Sequence, residues 1–208
     1  MQTAIVVLGS LAEAIGWRLV AARRATVWRL MPAILLVMGI AAVLVRRPVV
    51  AARVGDGTAL VVGTASGLAL YLCTRAFVAV AGRWEPFRRD VVSKYREAAE
   101  VPFLASLALS LLIMVPAEEL FWRGLFLARL DQSLVAFAAG VWTWLAYVGA
   151  NLASASLPII AGAVVGGALW TGLAVWSGGV LASLVSHMLW TGLMLALPPG
   201  AGRGGRAE

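Results

Sequence analysis

The longest uncharged stretch of the chain constrains its fold most strongly. Between Asp131 and Arg203 the sequence contains no Asp, Glu, Lys or Arg. A membrane span needs about 20 mainly apolar residues, so this stretch is long enough for three transmembrane helices. The whole chain agrees, since 62% of its 208 residues are hydrophobic and only 13% are charged. We therefore predict an all-α, polytopic transmembrane helical bundle.

Hydropathy predicts about seven spans along the chain. The first contains Glu13 and Arg18 and the second is short, so tilted, interfacial or re-entrant arrangements stay open for these two. The same charges argue against a cleavable signal peptide. The predicted spans cover residues 4–22, 30–45, 58–82, 101–128, 133–153, 157–176 and 179–197.

The segment 83–100 differs from the spans because apolar residues are interleaved with many charges. Phe87, Val91 and Tyr95 recur at fourfold spacing among basic and acidic residues. This pattern predicts an interfacial amphipathic helix that lies on the membrane surface.

The basic residues lie between apolar segments, where loops face anionic headgroups, although the formal net charge is +7. This placement is not typical of a nucleic-acid-binding groove, so we expect no nucleic-acid partner. The single cysteine, Cys73, rules out an intrachain disulfide. We expect one membrane domain over residues 1–197 and a disordered, Gly- and Pro-rich tail over 198–208.

Two adjacent carboxylates, Glu118 and Glu119, lie inside the fourth predicted span. A charge in hydrocarbon costs about 2.5 to 3.5 kcal/mol on insertion scales, so both acids are candidate functional residues. Glu119 and Arg123 stand four residues apart with the acid first, which is the favourable ion-pair orientation on one helical face. Glu118 lies about 100 degrees away and lacks that partner. An unpaired carboxylate in a dry cavity takes up a proton readily, as a general base must.

Other polar residues of the apolar half form two pairs with helical spacing. Tyr147 and Asn151 are four residues apart on one predicted helix, and His187 and Thr191 are four apart on another. His187 is the only histidine. A catalytic zinc site of the usual His-rich type would lack ligands, so metal dependence stays open but is disfavoured. We expect no cofactor.

These residues resemble the motifs of the CPBP family, the membrane-embedded type II CAAX prenyl endopeptidases and their bacterial relatives linked to bacteriocin immunity and abortive infection. The run Glu118-Glu119-Leu120-Phe121-Trp122-Arg123 fits the EExxxR signature. The segment 147–151 falls where the family has FxxxH, and 187–191 falls where it has HxxxN or HxxxD. The resemblance covers residues 101–197.

The resemblance implies an intramembrane glutamate protease in the cell membrane. Glu118 would activate a water that attacks a peptide carbonyl, while Glu119 and Arg123 would hold the helix and the cavity together. His187 and Thr191 would stabilise the oxyanion, and Asn151 stands where a histidine would orient or deprotonate the water. The implied substrate is a membrane-embedded or lipidated peptide, and the lipid bilayer is the other partner.

Two positions depart from the family pattern. Asn151 replaces the expected histidine, and its amide can orient a water but cannot take its proton at neutral pH. Thr191 replaces the expected Asn or Asp. A catalytically weak or silent relative that acts by binding a membrane partner, as an immunity protein would, therefore stays open as an alternative. Proton or ion transport through the intramembrane acids is a third hypothesis, disfavoured because the short chain shows no duplicated halves.

Overall fold

The computed structural model describes residues 1–199, and over this range every regular element is a helix. Residues 200–208, most of the tail predicted to be disordered, lie outside the described residues. The helices in chain order are α1 Gln2–Ala21, α2 Val27–Val45, α3 Asp56–Ala81, α4 Glu85–Ala98, α5 Phe103–Leu130, α6 Ala136–Leu152, α7 Leu157–Ser177 and α8 Leu181–Ala196.

A helix lies at each of the seven apolar stretches that hydropathy predicts. Five of them, α1, α2, α3, α5 and α7, are long and apolar enough to cross a membrane. The other two are shorter, with 17 residues in α6 and 16 in α8. The all-α membrane bundle is confirmed. The count of seven spans is not, because a perpendicular span needs about 20 residues and two helices are shorter.

Helix α4 is the amphipathic helix predicted near residues 83–100, and it joins the ends of several long helices. Its Phe87 is buried and meets Phe77 of α3 edge to face at 5.4 Å between ring centroids. The Tyr95 hydroxyl donates to the carbonyl of Met194 in α8 at 3.1 Å. Burial raises the pKa of Tyr95, and the nearby Tyr71 adds to this rise. On the outer face, Arg89 and Arg88 hold the pKa of Glu85 below its usual range.

Helices α3 and α8 approach closely because glycines face α8. A Cβ atom added at Gly63 would lie 2.7 Å from the carbonyl oxygen of Ala182, and one at Gly67 would lie 2.7 Å from that of Ser186. Four-residue spacing of small residues is a general device for packing membrane helices backbone to backbone.

Helix α5 is not a regular α-helix, and its irregular turns lie on either side of the two adjacent acids. π-Helical turns cover Leu109–Met114 and Leu120–Phe126, with the α-helical segment Val115–Glu119 between them. Pro116 lacks an N–H to donate and its ring crowds the carbonyl of the turn before it, which a regular α-helix does not accommodate. Such π-helical turns are frequent at functional sites.

Candidate active site

Glu119 is the centre of a buried cluster of charged side chains. Its side chain is fully buried, and its Oε1 atom accepts hydrogen bonds from Arg123 Nη1 at 3.1 Å and from His187 Nδ1 at 2.9 Å. The first contact lies within α5 and the second joins α5 to α8. The spacing of Glu119 and Arg123 predicts the ion pair, whereas the contact with His187 depends on tertiary packing.

Arg123 ties α5 to two further helices. Its Nη2 donates to the carbonyl of Gly167 at 3.3 Å and to the Thr171 hydroxyl at 3.4 Å, both on α7. Its guanidinium carbon lies 4.7 Å from the centroid of the Tyr147 ring on α6, within the range of a cation–π contact. Arg123 is therefore a structural hub as well as the counter-ion of Glu119.

Glu118 points to different partners from Glu119. Its Oε2 accepts a hydrogen bond from the Tyr147 hydroxyl at 3.2 Å and lies 4.0 Å from His187 Nε2, which is too far for a direct hydrogen bond. Glu118 retains 7% exposure, against none for Glu119. Of the two acids, Glu118 is thus the one without an arginine partner and with some open surface.

His187 lies between the two carboxylates. Because Glu119 accepts from Nδ1, that nitrogen carries a proton, and Nε2 is the nitrogen turned toward Glu118. The imidazole stacks on the indole of Trp170, with 3.5 Å between centroids and 16° between planes. A carboxylate behind one ring nitrogen fixes the tautomer and the orientation of a histidine.

Asn151 is connected to this cluster through Tyr147 and through an unexpected acid. Its Nδ2 donates to the carbonyl of Tyr147 at 3.0 Å and to Glu13 Oε1 at 3.3 Å. Glu13 lies on α1, is fully buried, and accepts a second hydrogen bond from Trp122 Nε1 at 2.9 Å. Glu13 is not among the site residues predicted from the sequence. Its charge inside an apolar span is the sequence feature that could have identified it.

Thr191 is the predicted site residue that the structure does not join to the others. It lies one turn after His187 on α8 and is half-buried. None of the side-chain hydrogen bonds among residues 1–199 connects its hydroxyl to the cluster. His187 bonds to Glu119 instead of pairing with Thr191. The structure thus brings together Glu118, Glu119, Arg123, Asn151 and His187, while their chemical roles stay predictions.

A cavity of about 280 Å³ lies beside the cluster, and Arg123 lines it together with Arg46, Arg53 and Asp131. Among residues 1–199, no group of three or more His, Cys, Asp or Glu side chains is placed to hold a metal ion.

The apolar helices define a polytopic membrane protein, and its interior holds a buried cluster of carboxylates, an imidazole and a guanidinium. The family model described as type II CAAX prenyl endopeptidase Rce1-like matches residues 100–193, slightly less than half of the chain. Residues 100–193 are therefore similar to this protease family, in agreement with the resemblance that the motifs carry. No curated protein and no solved structure matches the chain.

Proposed function

We propose that the protein is an intramembrane endopeptidase in which Glu118 takes a proton from the attacking water. The observation that carries this proposal is the approach of Glu118 Oε2 to His187 Nε2, 4.0 Å apart inside a buried cluster. A water molecule spans such a gap with a hydrogen bond to each atom. Glu118 suits the role because Arg123 is engaged by Glu119, which leaves the neighbouring carboxylate able to accept a proton.

The reaction that these groups support is hydrolysis of an amide. Glu118 accepts one proton of the water as the water oxygen bonds to the carbonyl carbon, which gives a tetrahedral oxyanion. The proton then passes from Glu118 to the amide nitrogen, the C–N bond breaks, and a carboxylic acid and an amine leave. General acid–base catalysis of this kind contributes about 10²- to 10⁴-fold in rate.

His187 is proposed as the donor to the oxyanion. Nδ1 carries the proton that Glu119 accepts, so Nε2 can donate only when the ring carries a second proton, and that N–H would point toward the reacting carbonyl, next to Glu118. Removal of one such donor typically lowers kcat by about 10²- to 10³-fold. Thr191 is proposed as a second donor from the next turn of α8. Glu119 and Arg123 are proposed to hold His187 and the turn of α5 that carries Glu118.

The proposed substrate is a membrane-embedded or lipidated peptide. We expect the protein to be a multi-pass protein of the cell membrane in which all seven apolar helices, including the shorter α6 and α8, cross the bilayer. An apolar groove of about 280 Å³ between α2 and α5 supports an apolar substrate segment. Its lining includes Pro116, Ala117 and Leu120, which flank the two acids in sequence. An apolar chain in this groove would bring an adjacent peptide bond close to the acid-bearing turn.

The proposal is tested by cleavage of a fluorogenic prenylated peptide and of a transmembrane peptide by the purified chain in liposomes. The Glu118→Gln variant keeps the shape of the side chain and removes its basicity, so we expect kcat to fall by about 10²-fold or more. Glu97→Gln is the matched control, because Glu97 pairs with Lys94 on α4, and its activity should equal that of the wild type. A metal chelator should leave cleavage unchanged.

Full activity in Glu118→Gln would refute the mechanism, and inhibition by the chelator that zinc reverses would replace it with a metal-dependent one. Asn151 is the observation that favours the alternative, a catalytically weak or silent relative that binds a membrane partner. That alternative requires that the wild type cleaves both peptides slowly or not at all, and that the wild type and Glu118→Gln restore a deletion phenotype equally.

A further inference from the structure

Glu13 is a buried acid that the proposed mechanism does not use. It lies on α1, outside the segment 100–193 that matches the family model. Its side chain is completely buried, and both carboxylate oxygens are engaged, Oε2 by Trp122 and Oε1 by Asn151. An acid at this depth is costly unless it is bonded in this way, which makes it a candidate for a functional role.

The contacts of Asn151 determine which end of its amide is free. The Nδ2 group carries two hydrogens, and both are used, one by Glu13 Oε1 and one by the Tyr147 carbonyl. Both partners are acceptors, so the amide cannot turn its oxygen toward them without placing two acceptors face to face. The orientation of an asparagine amide is assigned from such partners, and here both give the same answer. The free group is therefore Oδ1, which only accepts hydrogen bonds.

We propose that Glu13 is a positioning residue of the active site, which holds Asn151 so that its Oδ1 accepts a hydrogen bond from the reacting water. The inference rests on the proposed protease function. Like the unprotonated nitrogen of a neutral imidazole, an acceptor at this position orients the water by accepting a hydrogen bond from it. Unlike that nitrogen, the amide oxygen cannot take the proton. Glu118 then receives that proton. Tyr147 connects the two groups, since its carbonyl accepts from Asn151 and its hydroxyl donates to Glu118.

A positioning role for Glu13 and a helix-packing role predict different effects of its replacement. As a packing residue, Glu13 would support α1 against Trp122, and its loss would affect folding and activity in any background. As a positioning residue, Glu13 affects kcat only when residue 151 is an asparagine, whose amide could otherwise turn its NH2 group toward the water. A histidine there has its own ring nitrogen and does not need Glu13 to present an acceptor.

The test compares Glu13→Gln in the wild-type and in the Asn151→His background. A glutamine has one acceptor oxygen where the carboxylate has two, so it cannot accept from both Trp122 and Asn151, and the hold on the Asn151 amide is weakened. We expect kcat to fall by about tenfold or more with KM changed by less than about threefold, because water orientation acts in the transition state. In the Asn151→His background the same change should alter kcat by less than about threefold. Ser10→Ala, which removes a hydrogen bond within α1, should leave kcat unchanged.

A wild-type kcat in Glu13→Gln, or an equal loss in both backgrounds, would overturn the inference. Should Glu13→Gln elute as an aggregate, the near-isosteric Asn151→Leu carries the test, since it removes Oδ1 and must lower kcat by about tenfold with little change in KM. Loss of activity in Glu118→Gln together with normal activity in Glu13→Gln refutes only this inference. Normal activity in Glu118→Gln, or a wild type that cleaves no substrate, refutes the protease proposal and this inference with it.

Discussion

Replacing Arg123 with methionine tests whether the buried ion pair holds the bundle together. The change removes the charge partner of Glu119 and the two hydrogen bonds to α7, while keeping an unbranched side chain of similar length. Hydrogen bonds between membrane helices contribute about 0.6 kcal/mol each on average, so the bonds from Arg123 to Gly167 and Thr171 account for about 1.2 kcal/mol. Breaking a buried pair from one side costs about 3 to 5 kcal/mol, because a buried charge stays behind.

The uncompensated carboxylate of Glu119 therefore dominates the expected loss. We expect Arg123→Met to lower the free energy of unfolding by about 3 to 5 kcal/mol, a factor of about 150 to about 4,000 in the unfolding equilibrium. The measurement is unfolding in mixed micelles of mild detergent and SDS, followed by tryptophan fluorescence. Arg53→Met is the matched control: Arg53 is exposed and also donates to a carbonyl of α7, and its loss should cost about 1 kcal/mol or less.

A double variant decides whether charge or packing is responsible. Glu119→Gln combined with Arg123→Met leaves no charge unpaired at the pair, and the amide oxygen still accepts from His187. We expect this double variant to be more stable than Arg123→Met alone, by about 1 kcal/mol or more. A double variant less stable than Arg123→Met, or an Arg123→Met variant within about 1 kcal/mol of the wild type, would refute the electrostatic reasoning.

Two further predictions concern packing and pH. Gly67→Val should destabilise the bundle by about 2 kcal/mol or more, since its Cβ would lie 2.7 Å from the Ser186 carbonyl oxygen, whereas Gly57→Val, with nothing within 4 Å, should cost only what a β-branched residue costs in the first turn of α3. Equal unfolding midpoints for the two variants would contradict the close approach of α3 and α8. Burial, with a smaller effect of Tyr71, raises the pKa of Tyr95, so the folded state favours the neutral phenol. A tyrosine in the unfolded chain ionises near pH 10. The contribution of Tyr95 to the free energy of unfolding is therefore complete below about pH 10 and is lost as the pH rises further. Unfolding midpoints measured between pH 8 and about 11 should fall less steeply for Tyr95→Phe, and identical slopes would contradict the assignment.

The positions of the helices follow from the sequence because hydropathy and helical spacing are local properties. Each apolar stretch folds into a helix, since in hydrocarbon every backbone group must bond within the chain. The ion pair of Glu119 and Arg123 is predictable for the same reason, because four residues along a helix return to the same face. The number of helices that cross a bilayer does not follow from these local properties, because α6 and α8 are shorter than a perpendicular span.

Tertiary packing alone decided which faces meet. The bond between Glu13 and Asn151 joins residues 138 positions apart, and no periodicity within α1 or α6 relates them. Packing also turned His187 Nδ1 toward Glu119 and left Thr191 outside the hydrogen-bonded cluster. Small residues, such as Gly67 on α3, decide where helix backbones approach most closely, and the packing of the remaining surfaces decides which side chains meet. Local sequence thus determined which groups each helix carries, and the fit between helix surfaces determined which of these groups share a site.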